Sequence, residues 1–127
     1  MVGVGMGPES NAARRGEPVA LRVDIKLLPE SHTDFAAVVQ LIGEHDLATS
    51  SAIEQALGAI QGNVLLDLSE CTFIDSTVIS VVVVDHRTRG REGHRIELLV
   101  PAESASVSRT LQLAGVDQLM TVQTSRS

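Results

Sequence analysis

The stretch Val64–Val84, VLLDLSECTFIDSTVISVVVV, decides the fold because it reads as a buried strand followed by a helix. The apolar run Val64–Leu68 has the length of a strand and lies between polar or turn-forming residues, a pattern typical of a strand buried on both faces. The β-branched residues after Asp75 favour a strand by propensity. However, Asp75 and Ser76 are good N-cap residues, and basic residues precede Gly90, where a helix dipole favours them. We therefore predict a helix between Asp75 and Gly90.

The string Leu66–Ser80, LDLSECTFIDSTVIS, resembles the signature of the STAS domain, the family of anti-sigma factor antagonists (anti-anti-sigma factors). In that signature a D-S-[ST]-G motif opens an apolar helix, and a partner kinase phosphorylates the first hydroxyl residue after the Asp. The resemblance therefore implies phosphorylation at Ser76, with Thr77 as the alternative acceptor. The sequence departs from the motif at Val78, where many members have Gly. The resemblance covers residues 19–123.

A second point of resemblance is the segment 43–47, GEHDL, which is similar to the Gly-Glu-x-Asp turn after the second strand of STAS domains. Together with the helix start, this turn implies a surface for binding a protein partner. The residues implied for that surface are Asp75, Ser76, Thr77, Glu44 and Asp46.

The resemblance implies an anti-sigma factor antagonist that binds an anti-sigma factor, itself a serine kinase of the histidine-kinase-like ATPase type. The unmodified protein would sequester that partner and release a sigma factor, and phosphorylation of Ser76 would end the binding. The chain itself would hold no cofactor and no small-molecule substrate. An alternative is a non-enzymatic STAS subunit of a larger assembly, such as a lipid-import ABC transporter, in which Ser76 is only a helix cap. Val78 and the short carboxy terminus keep this alternative open.

The residues themselves leave two readings of the helix start open. Asp75 and Ser76 fit a plain helix cap as well as a regulatory site. A phosphate on Ser76 would add about −1.5 to −2 charges at neutral pH. Free N–H groups at the helix N-terminus would favour that charge, whereas the carboxylate of Asp75 would repel it.

Composition excludes several classes of function. The 127 residues indicate one domain, and 43% hydrophobic residues supply its core. A net charge of −6 and only two aromatic residues, both Phe, argue against nucleic-acid binding. No apolar run has the length of a membrane span. The single cysteine, Cys71, rules out an internal disulfide and fits a reducing cytoplasm, so we expect a cytoplasmic protein.

The sequence contains no recognisable catalytic or metal-binding pattern. Its four histidines form no H-x-x-x-H motif, and one cysteine cannot complete a sulfur site. The G-x-S-x-G motif is absent, and no histidine adjoins Ser76 to act as its base. We therefore predict that the protein is not an enzyme, that its histidines lie at the surface or in turns, and that Cys71 is a small, partly buried apolar residue.

The remaining elements follow from hydrophobic period and turn residues. We expect a disordered tail over 1–18, then a strand over 20–28 with one buried face and a second strand over 35–42 that forms a hairpin with it. A helix should follow from the capping box at Ser51 and Glu54 to Gly62. After the central strand and helix we expect a strand over 95–100, a helix from 101–104 to Gly115, a last strand within 117–122 and a disordered end over 124–127. This order, β-β-α-β-α-β-α-β, predicts an α/β fold. We expect a STAS-like mixed sheet of about five strands with helices mainly on one face, the other face being covered only in part. A final helix, usual in STAS domains, is expected to be missing or very short.

Overall fold

The computed structural model describes residues 22–27 and 34–125, which form one sheet flanked by helices in the predicted order. The strands are β1 (Arg22–Leu27), β2 (Phe35–His45), β3 (Asn63–Ile74), β4 (Ile96–Leu99) and β5 (Val122–Gln123). The helices are α1 (Leu47–Gly58), α2 (Ser76–Arg91) and α3 (Ala105–Leu113), followed by a 3₁₀ turn (Val116–Gln118).

The sheet is mixed, as predicted. Its strands lie in the order β1-β2-β3-β4-β5; β1 pairs with β2 in antiparallel orientation, and each later pair is parallel. The hairpin prediction is therefore confirmed for the paired strands. Most of its turn lies outside the described residues, as do the predicted tail over 1–18 and the last two residues of the predicted disordered end.

The main hydrophobic core lies between one face of the sheet and the helices. It joins Val39 and Leu66 of the sheet to Leu57 of α1, Val82 of α2 and Leu111 of α3. The opposite face carries a smaller cluster made only of strand residues, namely Val38, Leu65 and Leu99 with Phe35 beside them. The prediction of helices mainly on one face is confirmed.

Strands β2 and β3 are longer than the sequence predicts, because their carboxyl ends continue to pair with each other. Predicted to end at residue 42, β2 runs through the expected turn to His45. The prediction that the next strand ends at the polar residues after Leu68 is wrong, since β3 continues to Ile74. The register shifts between Gly43 and Glu44, so that Thr72 has no opposite residue and forms a bulge.

Helix α1 begins five residues earlier than predicted, comparing the N-cap Asp46 with the predicted N-cap Ser51. Its N-cap is Asp46, whose carboxylate accepts a hydrogen bond of 2.9 Å from the backbone N–H of Ala48. The predicted capping box at Ser51 and Glu54 therefore lies inside the helix, and the helix ends at Gly58 rather than at Gly62. The cause is the extension of β2, which carries the chain directly to Asp46.

The two edge strands also depart from the prediction. The expected buried face of β1 is only partly buried: Val23 packs against the core, but Ile25 is 45% and Leu27 is 74% exposed. At the other edge, Gly115 has a φ of 76°, which turns the chain into the 3₁₀ helix. The predicted last strand is consequently reduced to Val122–Gln123.

Arg89 of α2 is a buried charge that fastens α2 to the end of α1. The residue is only 5% exposed. Its guanidinium donates hydrogen bonds to the backbone carbonyls of Leu57 (2.8 Å), Ile60 (2.8 Å) and Gly62 (2.9 Å). It also forms a bidentate ion pair with Asp85, one turn earlier in α2, at 2.8 and 2.9 Å. Backbone carbonyls in the last turn of α1 and just after it thereby accept hydrogen bonds from a side chain of the neighbouring helix.

We predict that Arg89→Met lowers the free energy of unfolding by about 3–5 kcal/mol, because it removes the cation that pairs with Asp85 and five hydrogen bonds, three of them to backbone carbonyls. Urea unfolding measures the change. Arg87→Met, in the same helix but at an exposed position, is the matched control and should stay within about 0.5 kcal/mol of the wild type. Equal stability of the two variants would contradict the proposed role of Arg89.

Candidate functional site

The candidate site lies where β2 and β3 end side by side. These strands are parallel, and their last residues, His45 and Ile74, are in register. The next residue in each chain segment is an aspartate, Asp46 or Asp75, and each aspartate is the N-cap of the helix that follows. Two helix N-termini are consequently adjacent at one end of the sheet.

The start of α2 is fixed by the carboxylate of Asp75. Its Oδ1 accepts hydrogen bonds from the backbone N–H groups of Thr77 (3.0 Å) and Val78 (3.1 Å). Its backbone carbonyl accepts from the N–H of Ile79 at 3.1 Å. The N–H groups that we expected to be free for a phosphate on Ser76 are thus largely occupied, and this expectation is corrected.

Ser76 and Thr77 differ in accessibility. Ser76 is the first residue of α2 and is exposed. Thr77 is half-buried, and it lines a groove of about 460 Å³ between α1 and α2 together with Ser80 and Val81. An enzyme that modifies a hydroxyl group at this end of α2 would therefore reach Ser76 more readily than Thr77.

Val78, the departure from the family motif, is accommodated without disturbing the helix start. Its side chain is 1% exposed and belongs to the main core, while its N–H is one of the two bonded to Asp75. The β-branched side chain therefore contributes to packing, and the helix still begins where the motif predicts.

Five residues predicted for a binding surface are brought together at this end of the sheet. These are Glu44, Asp46, Asp75, Ser76 and Thr77. Glu44, Asp46 and Asp75 form what we term the acidic cluster; Glu44 and Asp46 are exposed and Asp75 is half-buried.

The structure adds two exposed apolar side chains that the sequence analysis did not assign to the site. Phe73, 43% exposed, is in register with Glu44, and Leu47, 70% exposed, is the first residue of α1. Phe73 belongs to the quoted motif, but its apolar character alone predicts burial. The bulge at Thr72 leaves both Thr72 and Phe73 exposed before Ile74 returns to the core, and no periodicity in the sequence signals it.

His45 supports the site from inside, against our prediction of surface or turn histidines. The side chain is fully buried; Nε2–H donates to the carbonyl of Ile42 at 2.9 Å, and Nδ1 lies 3.1 Å from Oγ1 of Thr49 in α1. This buried ring links the end of β2 to the first turn of α1. Of the other histidines, His94 is exposed and His86 half-buried, while His32 lies outside the described residues.

Within residues 22–27 and 34–125, no group of three or more His, Cys, Asp or Glu side chains is arranged to hold a metal ion. Cys71 is buried, in agreement with the sequence analysis, and burial raises the pKa of its thiol. Over the same residues, no helix combines the length and the apolar character needed to cross a membrane.

Comparison with known proteins identifies the family. The family model described as "Mlab, STAS domain" matches residues 28–122. The chain therefore belongs to the STAS domain family, as the sequence motifs predict. A comparison with curated protein sequences finds no match.

Solved structures similar to this chain include anti-sigma factor antagonists. One from Mycobacterium paratuberculosis has a TM-score of 0.66 at 22% identity, over 85% of this chain and 87% of that one. The antagonist SpoIIAA in its unphosphorylated form has a TM-score of 0.59 at 18% identity, over 85% and 90% of the two chains. The phosphorylated form of SpoIIAA from Bacillus has a TM-score of 0.56 at 19% identity, over 81% and 90%. At these identities the similarity concerns the fold.

We predict that Asp75→Ala lowers the free energy of unfolding by about 0.5–2 kcal/mol, because the N–H groups of Thr77 and Val78 lose their acceptor. Urea unfolding provides the measurement. Ser104, the N-cap residue of α3, makes no capping hydrogen bond through its side chain, so Ser104→Ala is a matched control that should change little. An equal loss in both variants would show that the carboxylate of Asp75 does not fix the start of α2.

Proposed function

We propose that this STAS protein is an anti-sigma factor antagonist controlled by phosphorylation of Ser76. Unmodified, it binds an anti-sigma factor that is also a serine kinase of the histidine-kinase-like ATPase type, and so releases a sigma factor in the cytoplasm. The protein acts by binding and not as an enzyme; the ATP belongs to the partner. The observation that carries the proposal is the exposed Ser76 at the helix start, directly after Asp75 of the acidic cluster and three residues after the exposed Phe73.

The composition of this surface supports recognition of a protein. Exposed Phe73 and Leu47 supply apolar area, and aromatic side chains are enriched among the residues that dominate binding energy at protein interfaces. Glu44 and Asp46 supply negative charge at its edge, which favours a partner with a basic contact surface. In the switching proposal, Ser76 contributes a hydroxyl group that a kinase can reach without unfolding the helix.

The geometry of the helix start supports loss of binding after phosphorylation. A phosphate on Ser76 carries about −1.5 to −2 charges and joins an already acidic cluster. The N–H groups of Thr77 and Val78 are bonded to Asp75, so they do not neutralise the phosphate unless the cap is broken. Covering an uncompensated near-dianion by a partner is costly because the charge loses its water. Phosphorylation therefore opposes binding while leaving the fold intact.

A second candidate is a STAS subunit of a larger assembly such as a lipid-import ABC transporter, in which Ser76 has no regulatory role. The description of the matching family model, "Mlab, STAS domain", does not mention anti-sigma factors and favours keeping this candidate. The neighbouring genes separate the two candidates: a gene for a kinase-like anti-sigma factor supports the first, and permease and ATPase genes support the second.

For the switch, we expect a kinase-like anti-sigma factor from the same genome, with ATP, to phosphorylate Ser76 alone. Wild type, Ser76→Ala and Thr77→Ala are incubated with it, and mass spectrometry maps the phosphate. Wild type and Thr77→Ala should be labelled at Ser76, and Ser76→Ala should remain unlabelled. The phosphorylated wild type should bind the kinase at least about tenfold more weakly, a change of about 1.4 kcal/mol. Ser76→Asp should bind weakly yet unfold like the wild type, since a carboxylate is tolerated at a helix N-terminus.

Two outcomes would overturn this proposal separately. Labelling of Ser76→Ala at the wild-type level would refute the choice of acceptor. Unchanged affinity of the phosphorylated protein would refute the switch even with the acceptor correctly identified.

The apolar part of the surface gives a further prediction. Phe73→Ala should weaken binding of the unmodified protein to the same partner by about tenfold or more, since exposed aromatic residues at interface centres carry much of the binding energy. Isothermal titration calorimetry measures the affinity. Leu113 of α3 is 79% exposed, and Leu113→Ala is the control for truncating an exposed apolar side chain elsewhere. If both variants bind like the wild type, Phe73 lies outside the interface.

A further inference from the structure

Strand β1 presents a regular edge that carries exposed apolar side chains. Within the described residues it pairs only with β2, from Arg22–Ile42 to Leu27–Ala37. On its helix-side face Ile25 is 45% and Leu27 is 74% exposed. Because an edge strand has backbone N–H and C=O groups directed away from its sheet, it is a template for pairing with another strand.

The sequence of β1 is self-complementary about Ile25. Apolar residues stand at Val23, Ile25 and Leu27, and the opposite charges of Asp24 and Lys26 lie between them. In antiparallel pairing, directly opposite residues project from the same face of the sheet. A pair of identical strands centred on Ile25 therefore sets Val23 opposite Leu27 of the second copy, and Asp24 opposite Lys26 of the second copy.

Other registers lack this match. Centring on Asp24 opposes two identical carboxylates, and centring on Lys26 opposes two identical ammonium groups; like charges directly opposite each other destabilise a sheet. Asp24 already makes a contact within its own chain. Since a carboxylate has two oxygens and accepts several hydrogen bonds, an additional cation opposite it does not require that contact to be given up.

We propose that a second copy of this chain docks on β1, so that two sheets join through an antiparallel β1–β1 pair centred on Ile25. The interface is isologous: each copy contributes the same strand, and a two-fold axis passes beside Ile25. One face of the joint carries a continuous apolar stripe of Val23, Ile25 and Leu27 from both copies. The other face carries two Asp24–Lys26 ion pairs.

This interface is separate from the candidate site around Ser76. Ile25 pairs with Val39 in the middle of β2, whereas Ser76 follows the carboxyl end of β3. The dimer therefore leaves the partner-binding surface accessible. A contact limited to short strands is small, and small interfaces are weak, so monomer and dimer exchange with concentration.

The test is sedimentation of the full chain from about 10 μM to about 1 mM, a range suited to a small, weak interface. The mean mass should rise from 13.5 kDa towards twice that value. Asp24→Lys and Lys26→Asp should each shift the midpoint to at least tenfold higher concentration, because each opposes like charges across the pair. The double variant Asp24→Lys/Lys26→Asp restores opposite charges and should restore the dimer. Recovery of the dimer by the double variant would show that each single variant loses pairing between copies. Damage to β1 would not give this result, because a second substitution would only worsen it.

Further variants complete the design. Leu27→Lys should favour the monomer, whereas Leu113→Lys, at another exposed apolar position, should not. Ile25→Cys should form a disulfide-linked dimer under oxidation, while Ser76→Asp should leave the mass unchanged. A 13.5 kDa mass throughout the concentration range, or a failure of the double variant to recover the dimer, would overturn the proposal.

Discussion

The buried guanidinium of Arg89 is the interaction on which the arrangement of the two central helices depends. It reaches from α2 to backbone carbonyls in the last turn of α1 and just after it, and it is held by Asp85. Burying a charge is costly, and the cost is met here because five hydrogen bonds use its donors. The same contact sets the spacing of α1 and α2, and therefore of their N-termini at the other end, where the acidic cluster and Ser76 lie.

The carboxyl ends of β2 and β3 supply the other half of the site's architecture. Their pairing continues past the apolar segments and ends in two aspartates that cap adjacent helices. The bulge at Thr72 exposes Phe73 in register with Glu44, while His45 ties the end of β2 to α1. A rigid sheet thus holds a polar and aromatic surface at defined positions, which suits recognition by a protein.

Local signals predicted the parts of this structure that depend on neighbouring residues. The cap at Asp75 and the helix after it were predictable, because a capping carboxylate acts within three residues. The same reasoning failed for Arg89, which resembled a cation placed to suit its own helix dipole; its carbonyl partners lie 27 to 32 residues away. The exposure of Phe73 could not be predicted from the sequence either, because a bulge depends on the register with another strand. Burial of His45 likewise required knowing that β2 continues beyond Ile42.

The capping bond of Asp75 has a consequence for the reversal of any switch at Ser76. A phosphate locked onto backbone N–H groups would be sequestered from enzymes that remove it. Here the carboxylate of Asp75 already holds the N–H groups of Thr77 and Val78, so a phosphoryl group on Ser76, as we propose, would stay hydrated at the helix end. Such a group is open to a phosphatase without prior local unfolding. Under the proposed switch, the modified state would therefore be reset easily, and its lifetime would depend on the balance of kinase and phosphatase activities.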